Sequence, residues 1–210
     1  MKKTQEAKSE RSRAVILEAA LNLFSHQGYR GTSIRDIAEA AQVSTGNVYH
    51  HFPDKEALFR TLLDQYWAAI STPDFPFNKA LADGAFPDDL EALARAAEES
   101  VQRYRRHIAL IYVDVVEFDG THIRLFYSGM SERFASFISQ RYPGDTLRER
   151  MRPGVDPTVA LMLASRIFLQ YFAVEVLFGV PAQLGIGSEH AIPEIAGILS
   201  QGMFQPPARP

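Results

Sequence analysis

The sequence contains no cysteine, which removes disulfides, thiolate catalysis and cysteine-ligated zinc from consideration. Its six histidines include no His-Glu-x-x-His pattern, and the adjacent His50 and His51 face different directions on a helix, so they do not clamp one metal. No glycine-rich phosphate loop occurs, and Ser128-Gly129-Met130-Ser131 lacks the flanking glycine of a nucleophile elbow. Glu117 and His122 are the one central acid and base pair, and each reads more simply as a satisfied polar group than as a catalyst. The expectation is a protein with no catalytic residues, no metal and no cofactor. The first ten residues are lysine-rich with no apolar stretch behind them, so no secretory signal is expected and the cytoplasm is the default location.

A chain of 210 residues with 46% hydrophobic and 22% charged residues has ample material for a core and is not a disordered polymer. Its net charge of −3 is unevenly spread. Residues 1–60 hold nine Lys and Arg against seven Asp and Glu, and the acidic excess lies in the remainder. Before the first apolar stripe the bias is clearer, with Lys2, Lys3, Lys8, Arg11 and Arg13 against Glu6 and Glu10. Such an arm can lie along phosphates or dip into the minor groove of DNA, or it can be a solubilising tail.

The informative stretch is Ser44 to Phe52. At helical spacing Val48 and Phe52 share one side with Ser44, while Gly46, Asn47 and His50 face the other way. The outer face is polar and slim. Gly46 is a poor helix former, but it suits a backbone that approaches another molecule closely. Asn47 carries an amide able to grip adenine bidentately, and the Tyr49 hydroxyl can reach a phosphate. Just upstream, Ile34, Ile37, Ala38 and Ala41 follow i, i+3, i+4, i+7. Thr32 or Ser33 can cap that segment, Asp36 completes a capping box, and Gln42 and Val43 make a short turn. Two short helices joined in this way have the layout of a helix-turn-helix unit.

Gly28-Tyr29, Thr32-Ser33, Ile37-Ala38, Val43-Ser44-Thr45-Gly46, Tyr49-His50-His51-Phe52 and Lys55-Glu56-Ala57-Leu58 recur in an order and spacing that resemble the tetracycline-repressor (TetR) type of transcriptional regulator. The likeness covers roughly residues 11 to 66; the rest agrees only in helical layout. It implies an all-α protein with two parts. Residues 1–54 would form an arm and a helix-turn-helix DNA-binding domain, and residues 55–210 a helical effector-binding and dimerisation domain. The DNA-binding set would be Thr32, Ser33, Thr45, Gly46, Asn47, Tyr49, His50, His51 and Lys55. Asn47 and His50 would read bases, whereas Thr32, Tyr49, His51 and Lys55 would hold phosphates. Lys55 sits in the first turn of a helix capped by Asp54, where a cation opposes the helix dipole, and a phosphate partner explains it better than helix stability does.

Further helices are expected over Arg11 to Gln27, closed by Gly28; from Asp54 through Phe59, Leu62, Leu63, Tyr66 and Trp67; from Pro87 through Tyr104; over Ile108 to Phe118, where β-branched residues would also allow a strand that has no partner; and over Ile123 to Ile138. Ser71 to Phe77 and Tyr142 to Val155 read as a linker and a loop. Asp156 and Pro157 open a helix to about Phe178 that is apolar on nearly every side. Its length would suit a membrane span, but Arg166, Gln170 and Glu175 make insertion costly, so burial against its own core and a second subunit is the reading. The last helix, near Pro193 to Met203, would join it in a homodimer interface. Aromatic residues Trp67, Tyr104, Tyr112, Phe126 and Phe134 lie on helices that in the resembling family enclose an effector pocket. They would either line a cavity for an apolar or aromatic molecule or fill a core. The partners implied are double-stranded operator DNA, a small hydrophobic or aromatic effector and a second copy of the chain, with no membrane. The rivals are a DNA-binding architectural protein without an effector, and a helical enzyme.

Overall fold

A computed structural model describes residues 2–144 and 146–204, the side chains of residues 2–4 apart. Among the described residues the regular structure is helical, and the sole extended pairing is an isolated bridge between Met151 and Phe204. The chain forms two compact units, Met1–Ala69 with Arg106–Leu125, and Ile70–Arg105 with Phe126–Pro210.

The first unit begins with α1 (Lys2–Gln27), followed by α2 (Ile34–Ala40), α3 (Thr45–His51) and α4 (Lys55–Ala69). The basic arm expected before Arg11 is helical, continuing α1 upstream, and the side chains of Lys2 and Lys3 lie outside the described part. Ile16, Ala20 and Phe24 recur at i+4 and are fully buried, joined by Ile37, Val48, Leu58, Phe59 and Leu62 in one core. Phe24 meets Phe59 edge to face at 5.5 Å, and Tyr29 and Phe118 extend that cluster. Burying a phenylalanine of this kind is worth about 1.5–3 kcal/mol, so the four rings are a large part of what holds four short elements together. Since α4 and residues 106–125 share this core, the compact unit runs on past the residue 54 boundary taken from the sequence.

α7 (Leu90–Glu117) carries Ile108 to Glu117 as helix, as expected, but Tyr104 has non-helical angles (φ −111°, ψ 18°) that break its path. Its later part supplies His107, stacked on Tyr66 with centroids 5.8 Å apart. Burial, with Arg106 beside it, pushes the imidazole down from its ordinary 6.5 to about 4, against a smaller opposing pull from Glu18. Between those two values the unfolded chain binds more protons than the folded one, so stability rises with pH there. This contribution is complete above pH 6.5 and is lost as pH falls towards 4. Urea midpoints measured across that window should slope upward with pH, and His107→Phe should flatten the slope; an unaltered profile would show that another group titrates.

The second unit holds α5 (Pro76–Ala82), α6 (Ala85–Asp88), the first part of α7, α9 (Met130–Arg141), α10 (Thr146–Arg150), α11 (Pro157–Val176) and α12 (Ser188–Met203). The expected single helix from Ile123 to Ile138 is divided at Gly129 into α8 (Thr121–Ser128) and α9, and the expected loop after Tyr142 contains α10. α12 starts a turn and a half before Pro193, which therefore lies inside the helix and offers no N–H to the Glu189 carbonyl four residues back. α11 opens as expected, with Asp156 accepting from the Thr158 and Val159 N–H groups and Pro157 behind it. It packs on α9 and buries Ala160, Leu161, Ala164, Phe168 and Phe172, while Val159 and Leu163 remain exposed. Among the described residues it is the one helix long and apolar enough to cross a membrane by length and composition.

Candidate nucleic-acid interface

α2 and α3 are held by local chemistry that the sequence announces. Ser33 caps α2 by accepting from the Asp36 N–H at 3.1 Å, and Asp36 accepts the Ser33 N–H in return at 2.9 Å. α2 closes with the Gln42 N–H on the Glu39 carbonyl and the Val43 N–H on the Ala38 carbonyl, a paired closure that places Gln42 in the left-handed region at φ 56°. The chain can then turn sharply enough for Ser44 to cap α3, accepting from the Asn47 N–H. Val48 and Phe52 are buried, which rotates the rest of α3 outward.

The outward face carries Thr45, Gly46, Tyr49 and His50, all exposed, with Asn47 and His51 half-buried at its margins. Gly46 has ordinary angles, and a Cβ built there would meet nothing nearer than the Ser44 hydroxyl at 3.9 Å. No described residue crowds position 46, and the glycine there leaves the outer face of α3 slim. His51 is held below its ordinary range by partial burial and by the neighbouring His50 and Arg13, so the imidazole is neutral near pH 7. Arg13 lies over the Phe52 ring at 5.3 Å, beside the same face.

Besides Ser33, whose hydroxyl and N–H are taken up in the α2 capping box, three residues of the expected set are engaged inside the protein. Thr32 is buried, and its hydroxyl donates to the Gly28 carbonyl at 2.8 Å. The Lys55 ammonium donates to the carbonyls of Tyr29 and Thr32 at 2.8 and 2.7 Å and sits 4.1 Å from the centre of the Tyr29 ring. Desolvation in that position lowers its pKa, with Glu117 opposing. A lysine at the start of α4 is therefore explained without a phosphate: it ties α4 to the turn between α1 and α2. The Asn47 carbonyl oxygen accepts from Ser12 of α1 at 2.6 Å.

Sequence reading missed what supports that turn from behind. The Glu117 carboxylate accepts the N–H groups of Tyr29 and Arg30 at 2.9 and 2.6 Å. Gly28, at φ 76°, lies so close that a Cβ there would come within 2.5 Å of the same carboxylate. Asp114 is fully buried; the His122 ring donates to it at 2.6 Å and the Ile123 N–H at 3.0 Å, and His122 also faces Glu56 at 3.8 Å. Glu117 and His122 are thus structural polar groups on separate partners. The pairing of Glu117 with a turn 88 residues away leaves no local pattern to read.

The aromatic set is distributed over both units, with Trp67 and Tyr112 in the first and Tyr104, Phe126 and Phe134 in the second. Trp67 packs on Tyr66, Tyr104 on Phe75, and Phe126 on Tyr127 with Arg133 over its ring. None of the five is fully buried. An open charged groove of about 520 Å³ lies between α5 and α7; it includes Lys79, Arg95, Glu99 and Arg103 and none of the five rings.

Two short helices joined by a tight turn, the second presenting a slim polar face and braced by a longer helix, define a helix-turn-helix domain. Residues 16–62 match the family of bacterial regulatory proteins described as the tetR family. That match spans the helix-turn-helix and the helices on either side of it. It is 33% identical over 106 residues to the transcriptional repressor KstR2 of Rhodococcus jostii, covering 50% of each chain. It is 48% identical over 62 residues to the transcriptional regulator RutR of Escherichia coli, covering 27% of this chain and 29% of that one. The alignments thus span about half the length of the curated relatives or less. The crystal structure of NalD, a repressor of a multidrug efflux pump in Pseudomonas aeruginosa, superposes with a TM-score of 0.62 at 23% identity, covering 95% of this chain and 98% of that one. At that identity the likeness is one of fold, and it extends over the second unit as well.

Proposed function

We propose that this protein is a cytoplasmic DNA-binding transcriptional repressor, without enzymatic activity, that acts as a homodimer on a palindromic operator and is released by a small hydrophobic or aromatic effector. The observation that carries the DNA reading is the outer face of α3, where Gly46 lets the backbone come close and Thr45, Asn47 and His50 offer polar groups at base-edge depth. Tyr49 and His51 hold phosphates at its flanks, with Arg11 and Arg13 of α1 adding charge. Thr32 and Lys55 act indirectly, by fixing the turn on which α2 is mounted. The repressor sense rests on relatives named as repressors, among them KstR2.

The effector part rests on Trp67, Tyr104, Tyr112, Phe126 and Phe134. A ring that only fills a core is covered on every side, and each of these keeps uncovered surface. Dimerisation rests on α11 and α12, whose exposed Val159, Leu163 and Ile198 leave apolar surface on a single chain.

Selection from a random duplex library should enrich an inverted repeat with half-sites one helical turn, roughly 34–36 Å, or a multiple apart. Titrating the selected duplex complex with planar aromatic compounds should release DNA and quench Trp67, the single tryptophan. Enrichment without release by any apolar compound would favour the effector-free architectural reading, and no enrichment would remove DNA binding altogether.

A further inference from the structure

We infer that Ser12 of α1 is a specificity-determining residue, which turns the Asn47 amide so that it reads guanine rather than adenine; this rests on α3 being the DNA-reading helix. An Asn side chain grips adenine only when its carbonyl oxygen and its amide nitrogen face the base edge together, the oxygen accepting from N6–H₂ and the nitrogen donating to N7. Here the oxygen is turned back onto α1, where it accepts from the Ser12 hydroxyl at 2.6 Å. The backbone of Asn47 is fixed as well, because its N–H donates to the capping Ser44 hydroxyl at 3.1 Å in the first turn of α3. With the backbone fixed, the Ser12 bond is what sets the amide plane, its oxygen towards α1 and its nitrogen away from it.

What remains for a ligand is the nitrogen. No described hydrogen bond engages Asn47 Nδ2, and no buried side-chain nitrogen or oxygen among the described residues lacks a partner, so Nδ2 is open to solvent. It carries two protons and no lone pair to offer. A major-groove edge presenting two adjacent acceptors satisfies both protons, and guanine, with N7 and O6, is the base that does so. Adenine presents N7 beside a donor, which would face the donor nitrogen.

The test is selection from a random duplex library with wild-type protein and with Asn47→Ala, Ser12→Ala and Ser12→Thr, each checked for native helicity by circular dichroism. Asn47→Ala identifies the operator position that this residue reads, as the one whose preference disappears. Wild-type protein should favour guanine over adenine there by roughly 5- to 150-fold. Ser12→Ala frees the amide to turn over and should raise adenine at that position alone, whereas Ser12→Thr, which keeps a hydroxyl, should retain guanine. A role for Ser12 in holding α1 on α3 would instead weaken every position alike. Adenine at that position with wild-type protein, or an unchanged profile in Ser12→Ala, overturns the inference while leaving DNA binding standing; a library from which wild-type protein enriches nothing overturns both.

Discussion

Leu163→Glu should convert a dimer into monomers at micromolar concentration and lower affinity for a two-half-site duplex by about 10²- to 10⁴-fold. The size follows from linkage: when two heads are joined, the second half-site is bound at a high effective concentration, and separating the heads removes that advantage without touching any DNA contact. Leu163 and Val159 lie one turn apart on the side of α11 that the second unit leaves uncovered, and Ile198 does the same on α12. A self-complementary two-fold contact is the closed way for one surface to cover itself, and two carboxylates brought together at its centre repel with no counter-charge supplied by the partner. Affinity for a single half-site should stay within a few-fold of wild type. Sedimentation separates the outcomes: a protein that remains dimeric with Leu163→Glu would place the interface elsewhere, and a wild-type monomer would end the dimer reading.

Asp114→Ala should cost about 3–5 kcal/mol of stability, read as a shift of the urea midpoint, because removing one partner of a buried polar group strands the others. Asp114 has no exposed surface, and it receives both the His122 ring N–H and the Ile123 backbone N–H. An alanine replaces the carboxylate by a void and leaves two donors unanswered in the same core as Phe59 and Phe118. Asp114→Asn, which keeps one acceptor oxygen for the Ile123 N–H, should cost less than half as much. A loss under 1 kcal/mol for the alanine variant would mean that water reaches the site and answers both donors.

Much of the first unit was legible because its signals are local. The Ser33 and Asp36 capping box, Gly28 at the end of α1 and the buried pair Val48 and Phe52 are all set by residues within four positions of one another. Hydrogen-bonding caps and helical spacing act over that range, so the pattern and the cause coincide. The same local rules misjudged Lys55. In a helix first turn a cation is mildly unfavourable, and that led to a phosphate, whereas the ammonium finds two carbonyls of the turn before α2. Gln42 carries the left-handed angle that a glycine would adopt more easily, and only the two hydrogen bonds closing α2 reveal it.

By itself, then, the sequence determined an all-helical chain, the helix-turn-helix and its polar outer face, because spacing and capping are properties of neighbours. Tertiary structure alone decided how that face is held and what it can offer. Ser12 bonds Asn47 across 35 positions, Glu117 grips the turn at Tyr29 and Arg30, and Asp114 disappears into the core with His122. Each is a polar contact between residues far apart in sequence, made favourable only after apolar packing has excluded water around it, and no periodicity within a single helix encodes such a partner.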